Sequence, residues 1–267
     1  MVFLDDLGLI ELLVGMVAVL FCYVGLISWW YIRTNNAKQL RSLLKASAVP
    51  IGGLGAVILM LAMWIEMTWP FWLVIPTGTN VLAGYNIYFG DVLVIMGLMS
   101  IVYAVTAYVG HHLHVAGVMA IVAGAGVAFY AWTGYTGSKP FTEDPWDTFL
   151  LYGAFALAAF SAFPASVLVD YYLAAVDRAA SIWQTSSPLR APILRAFGTR
   201  ATGAIVGAGV PDDSNSEKGA LHFRVPYAWQ VVMLAFPVLW ALAAVAALWY
   251  FGVTLPGHLG GGAGAAP

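Results

Sequence analysis

The segment EMTWPFWLVIPTGTNVLAGYNIYFGD, residues 66–91, separates two long apolar segments and therefore decides where the helices of this chain end and begin. Pro70, Pro76 and three glycines within it disfavour one continuous helix. Five aromatic residues follow Pro70, so it is not an ordinary hydrophilic loop either. Tryptophan and tyrosine collect where lipid meets water. The segment therefore predicts structured backbone at a membrane surface.

The composition of the whole chain indicates an all-α integral membrane protein. Of 267 residues, 61% are hydrophobic and 9% are charged, whereas about a quarter are charged in a soluble domain. A spanning helix needs roughly 20 apolar residues, so the chain predicts one bundle of about six helices. Cys22 is the single cysteine, which excludes an internal disulfide and a cysteine-based metal cluster formed by this chain alone.

Six apolar segments set the expected organisation. A short basic linker follows the first span, Asp91 and Asp147 are expected to cap the third and fifth helices, and the fifth helix can continue along the surface to Gln184. We divide the chain into a five-helix membrane region (1–172), a cytoplasmic loop (173–226), a sixth helix (227–251) and a flexible Gly/Ala-rich tail (252–267). The predicted spans are residues 9–32, 47–67, 91–110, 115–132, 147–172 and 227–251.

The positive residues predict the orientation of these spans. Four of the eleven Lys and Arg residues lie between spans one and two, and six lie between spans five and six. Positive loops stay in the cytoplasm during insertion, so both loops are predicted there, with Lys139 outside. Both termini and residues 66–91 are then predicted on the outer side of a multi-pass protein of the cell membrane.

Histidines 111, 112 and 114 form the turn HHLH after the third span. A cluster of imidazoles can bind a metal or supply an axial haem ligand. Such a site needs further ligands, and the other spans offer no recognisable one. The alternative is a tight interfacial turn of polar residues, which the sequence favours.

Three acidic residues lie near the ends of spans: Glu66, Asp91 and Asp170. Ionisable groups inside a membrane are costly unless they are paired or hydrated. Glu66 and Asp170 are predicted to lie where water reaches them, which favours structural anchoring over proton or ion handling. Glu66 is the stronger functional candidate, because Asp91 and the aromatic segment are its expected neighbours.

Two further patterns allow a structural and a functional interpretation. Aromatic residues around the outer segment form either an ordinary interfacial belt or a pocket for a quinone or bound lipid. Small residues recur every four positions on the fifth helix, which suits close helix packing within the chain or against a partner subunit. The aromatic residues are Trp64, Trp69, Trp72, Tyr85, Tyr88 and Phe89, and the small residues are Ala154, Ala158, Ala162 and Ser166.

Two motifs, FLDDL near the start and YNIYFGD at residues 85–91, resemble a largely archaeal family of predicted polytopic membrane proteins, a domain of unknown function. The resemblance covers roughly residues 3–170. It implies the membrane fold and supplies no catalytic residues.

Three functions remain as expectations. The chain contains no Walker loop, zinc-protease motif, nucleophile elbow or dinucleotide fingerprint, and nothing in it indicates nucleic-acid binding. The first expectation is therefore a non-catalytic subunit of a larger membrane complex, such as a respiratory or other oxidoreductase assembly. The alternatives are a haem-, metal- or quinone-binding redox protein that uses the histidine turn or the outer aromatic residues, and a proton or small-solute carrier that uses Glu66.

Overall fold

Six α-helices make up the part of the chain that the computed structural model describes, which is residues 6–68, 81–110, 112–136, 145–184 and 226–260. Each helix contains a segment long and apolar enough to cross a membrane, and no strand occurs in these ranges. The predicted all-α membrane bundle is confirmed at this level. The helices are α1 (Asp6–Arg33), α2 (Ala37–Thr68), α3 (Val81–Val109), α4 (Leu113–Thr136), α5 (Pro145–Gln184) and α6 (Tyr227–Gly260).

The helices pack as antiparallel neighbours: α2 on α3, α4 on α5, and α1 on α6. Glycines bring α2 and α3 close together, since a Cβ atom at Gly55 would lie 2.6 Å from Ser100 Cβ and 2.9 Å from the Gly97 carbonyl oxygen. Small residues allow such approach between helices in lipid. We call the end of the bundle where α1 begins the N-terminal end, and the end where α1 and α2 are joined the opposite end.

Short turns with left-handed residues join the helices at the opposite end. Asn35 (φ 56°) follows α1, and Gly110 (φ 77°) follows α3. Both residue types tolerate this conformation, which ends helices by letting the next amides turn back to the last carbonyl groups. The Asn36 amide, for example, donates to the Tyr31 carbonyl at 2.8 Å. These turns fix α1 against α2 and α3 against α4.

The predicted basic linker before the second span is wrong, because α2 already begins at Ala37. Asn36 caps this helix: its side-chain oxygen accepts the Gln39 amide at 3.2 Å, and its carbonyl accepts the Leu40 amide at 3.0 Å. Leu40 and Leu44 are buried at the four-residue spacing of a helix face. The basic residues therefore lie on the first turns of a helix.

The predicted start of the third helix is also wrong. α3 begins at Val81, so residues 81–90 of the opening segment are helical and Asp91 lies inside the helix rather than at its cap. Residues 69–80, the rest of the predicted structured loop, lie outside the described residues. Asp147 is in the first turn of α5, which begins two residues earlier. An acidic side chain still complements the exposed amides there.

Two helices are longer than their minimum spans. The predicted continuation of α5 to Gln184 is confirmed, and Pro164 lies inside this helix. α6 continues to Gly260, so the first part of the predicted flexible tail is helical. Large apolar side chains such as Val122, Met60 and Phe129 are about 70% exposed, as expected of a surface that faces lipid rather than water.

Candidate functional site

The acidic residues at the N-terminal end form the clearest polar site of the bundle. The carboxyl groups of Glu66 on α2 and Asp91 on α3 lie within hydrogen-bonding reach of each other. Both residues are half-buried, and both belong to segments that can cross the membrane. Sequence reasoning predicted these two residues as neighbours, and the described structure brings them together.

Tyr130 on α4 completes this site from a third helix. Its hydroxyl group donates a hydrogen bond to Asp91 Oδ2. This hydrogen bond joins α4 to α3 beside the two carboxyl groups. Sequence reasoning missed Tyr130, since one tyrosine in an apolar helix carries no signal that distinguishes it from an interfacial residue.

Glu66 is held differently from its partner. Its Oε1 atom is buried and receives no hydrogen bond from the described residues. The Glu66 carboxyl group lies over Gly90, where a Cβ atom would collide with it. Because Gly90 has no side chain, the Glu66 carboxyl group has room to lie beside that of Asp91.

The geometry constrains the protonation of this pair. Two ionised carboxylates in contact repel each other, so such pairs hold a shared proton. The arrangement can therefore bind one proton at the edge of the membrane-spanning region.

Glu11 on α1 is a further acid that sequence reasoning did not single out. It is 6% exposed, more deeply buried than the three predicted acids. With Leu93 and Tyr152 it lines a cavity of about 30 Å³ beside the middle of α3. The sequence did contain a signal for this residue, since Glu11 is a single glutamate inside the first apolar segment.

The predicted histidine and Asp170 candidates meet at the opposite end of the bundle. Asp170 on α5 accepts the Leu113 amide at 3.1 Å and the His114 amide at 2.8 Å. It also contacts His114 Nδ1 at 2.7 Å. The expectation that no other span offers a partner for the histidines is therefore wrong, since α5 supplies Asp170. His111 lies outside the described residues.

This second cluster has the chemistry of a helix cap. The first amides of a helix lack partners within it, and Asp170 supplies one from a neighbouring helix. His112, His114 and Asp170 also place three possible metal-ligand atoms within 4.8 Å of one another. Both carboxylate oxygens already accept hydrogen bonds, so the cluster is satisfied without a cation.

The small-residue pattern on α5 packs within this chain. A Cβ atom at Gly117 of α4 would collide with Ser166 Oγ and lie 3.4 Å from the Ala162 carbonyl oxygen. Ala158 is fully buried, and Ala154 is half-buried. The pattern therefore contributes to the α4–α5 contact.

The aromatic candidates do not form a described pocket. Trp64 on α2 is 60% exposed, as expected for a residue of an interfacial belt. Trp69 and Trp72 lie outside the described residues, and Tyr85, Tyr88 and Phe89 lie on α3 with side chains that are not described.

Comparison with known proteins places the membrane bundle in a family. The model of the family described as "Protein of unknown function (DUF981)" matches residues 1–184, which covers α1 to α5. The chain belongs to the DUF981 family. No curated protein and no solved structure matches it. Glu66, Asp91, Tyr130 and Asp170 all lie within the DUF981 region.

Proposed function

We propose that this DUF981 protein is a proton-binding membrane protein of the carrier class, with Glu66 and Asp91 as its proton site. The observation that supports this proposal is the contact between their carboxyl groups within segments that can span the membrane. A contact of this kind is favourable when one proton is shared and unfavourable when both groups are ionised. Proton relays in membranes use such intramembrane acids.

Release of the shared proton has a structural consequence. Two negative charges would then face each other across the α2–α3 contact, where the Glu66 carboxyl group packs against Gly90. Repulsion in a region of low dielectric favours separation of the two helices. The protonation state of Glu66 is thereby coupled to the packing of α2 on α3, as a proton-driven carrier requires.

A flux measurement with the full chain in liposomes tests this proposal. A pH-sensitive dye inside the liposomes reports proton movement under an imposed pH gradient and membrane potential. We expect Glu66→Gln to lower the protein-dependent flux at least 10-fold, because an amide cannot exchange the proton. Asp147→Asn is the matched control, since Asp147 is another acid at the N-terminal end but belongs to neither cluster. A flux that survives Glu66→Gln contradicts the carrier function.

The histidine turn gives a second candidate function, a cation-binding protein. The specific observation that favours it is the approach of Asp170 to His112 and His114, because imidazole and carboxylate groups together suit zinc and related metals. The double variant His112→Ala, His114→Ala is expected to remove stoichiometric zinc from the purified chain. Equal zinc content in both proteins counts against this function, and the haem and quinone alternatives remain predictions.

The role of this chain as a subunit of a larger membrane complex also remains a prediction. The small residues that motivated it contact α4, so they no longer favour a partner. Extraction in a mild detergent tests it: defined partner subunits support an accessory role in the cell membrane, and a stable monomer or homo-oligomer contradicts it.

A further inference from the structure

An apolar cavity of about 110 Å³ lies between the helices, and neither Glu66 nor Asp91 lines it. It is lined mainly by small and aromatic side chains of α1, α3, α4, α5 and α6. An empty space of this size is unfavourable, since the atoms around it lose contacts on one side. Apolar cavities of comparable size accept small apolar molecules, and this one is partly open, so a longer guest can extend beyond it. The cavity is therefore suited to an apolar guest.

Ser28 in the cavity wall lacks the hydrogen bond that other serines in the bundle make. The hydroxyl groups of Ser47, Ser100, Ser161 and Ser166 each donate to a carbonyl oxygen one helical turn earlier. Ser28 is only 3% exposed, yet its Oγ atom has no partner among the described residues. A buried hydroxyl without a partner costs free energy, and an acceptor inside the cavity would remove that cost.

Trp240 presents a second unpartnered donor at another level of the same cavity. Its side chain lines the cavity, it is 5% exposed, and its Nε1 atom has no described partner. The Trp240 ring packs against Phe21 with ring centroids 4.5 Å apart. Ser28 follows Phe21 by seven residues, so the two donors are separated by about 10 Å along the bundle at 1.5 Å per residue.

We propose that this cavity binds an elongated apolar molecule that carries carbonyl oxygens near both ends. The apolar chain fills the space between the helices, one oxygen accepts from Ser28 Oγ, and the other accepts from Trp240 Nε1. The indole N–H group of Trp240 can only donate a hydrogen bond, so the guest must carry an acceptor atom beside Trp240. The site shares no residue with the Glu66–Asp91 pair, so either assignment can fail alone.

Carbon-13 NMR of the full chain in lipid nanodiscs tests the proposal with a defined probe. The probe is a twelve-carbon diketone with a labelled carbonyl next to each end, compared with the corresponding monoketone and alkane. We expect two bound carbonyl resonances shifted from that of the probe in empty nanodiscs. The expected order of affinity is diketone, monoketone and alkane, since each hydrogen bond contributes roughly 5- to 10-fold.

Substitutions distinguish the cavity from simple partition into lipid. Ser28→Ala and Trp240→Phe are each expected to remove one shifted resonance, and Ala120→Phe, which fills the cavity, is expected to remove both. Ala125→Phe is the control, because Ala125 is exposed on the same helix and does not line the cavity. Resonances identical to those in empty nanodiscs, or shifted resonances that persist in Ala120→Phe and Ser28→Ala, overturn the proposal.

Mass analysis of molecules extracted from the purified chain tests whether the site has a natural guest. An apolar molecule with two carbonyl groups about 10 Å apart, present in the natural chain and absent from the folded Ala120→Phe variant, supports the site. Equal amounts in both proteins contradict it, as does finding only phospholipids, whose ester carbonyl groups lie together at one end.

Discussion

At the scale of single residues, the acid pair depends on one donor and one glycine. Tyr130 donates a hydrogen bond to Asp91, while Gly90 leaves the space that the Glu66 carboxyl group occupies. Neither residue is acidic, and both come from positions that sequence patterns treat as ordinary parts of apolar helices. The contacts of the Glu66 and Asp91 carboxyl groups therefore depend on neighbours that carry no charge.

The loss of the Tyr130 hydroxyl group tests the first of these contacts. In Tyr130→Phe, Asp91 loses the hydrogen bond that the Tyr130 hydroxyl group donates. We expect unfolding in detergent to become easier by about 1–3 kcal/mol, the usual cost of leaving a buried group unpaired. Chemical unfolding followed by circular dichroism measures this difference. An unchanged midpoint would show that the hydrogen bond contributes nothing to stability.

A pair of glycine substitutions tests the space beside Glu66. Gly90→Ala places a methyl group against the Glu66 carboxyl group and is expected to destabilise the fold despite its better helix propensity. Gly53→Ala is the matched control on α2, since nothing lies within 4 Å of its Cβ position. That change is expected to be neutral or stabilising by up to about 1 kcal/mol. Equal effects of the two substitutions on the unfolding midpoint contradict the described contact.

At the scale of the helices, the turn between α3 and α4 depends on α5. Asp170 accepts the first amides of α4, and Gly110 turns the chain after α3. An acid that the sequence indicated as a membrane anchor thus acts as a cap for another helix. The start of α4 and the position of α5 are therefore coupled.

Removal of this cap is expected to destabilise the bundle. Asp170→Ala leaves the amides of Leu113 and His114 without their described acceptor, at a cost of about 1–3 kcal/mol. Asp177→Ala is the control on the same helix: it removes an exposed ion pair with Arg41, a type of contact worth at most about 1 kcal/mol. Hydrogen exchange should accelerate in the first turn of α4 only for Asp170→Ala. Equal exchange in the two variants would contradict the cap.

The helices also show what the sequence could and could not predict. Apolar segments of sufficient length predicted the helices in the membrane, because that signal depends on composition alone. The first turns of α2 and α3 were missed, since Lys38 and Gly84 disfavour a span although a helix can extend beyond the membrane. The meeting of Asp170 with His114 depends on which helices pack together, and hydropathy carries no information about that choice.

At the scale of the whole molecule, the Lys and Arg residues of the loops predict which end of the bundle faces the cytoplasm. Chemical labelling of introduced cysteines tests this orientation directly. The positive-inside pattern predicts residue 34 in the cytoplasm and residue 138 outside. With Cys22→Ala as background, Ser138→Cys should react with a membrane-impermeant maleimide on intact cells. Thr34→Cys should react only after the membrane is opened. The reverse pattern contradicts the predicted orientation.

The whole bundle separates two polar clusters, with the Glu66–Asp91 pair at the N-terminal end and the Asp170 cap at the opposite end. The α4–α5 contact passes between these ends, and the cavity opens beside it. The proposed proton at Glu66 is therefore expected to affect mainly the packing of α2 on α3. The Asp170 cap joins α4 and α5, and the cavity is lined by these two helices together with α1, α3 and α6.

The central claim is that Glu66 and Asp91 hold one proton between them, and infrared difference spectroscopy of the reconstituted chain measures it most directly. We predict a protonated-carboxyl C=O band at neutral pH that is lost in Glu66→Gln and retained in the control Asp147→Asn. A natural chain without that band at neutral pH, or a band unchanged by Glu66→Gln, would contradict the shared proton and the function proposed from it.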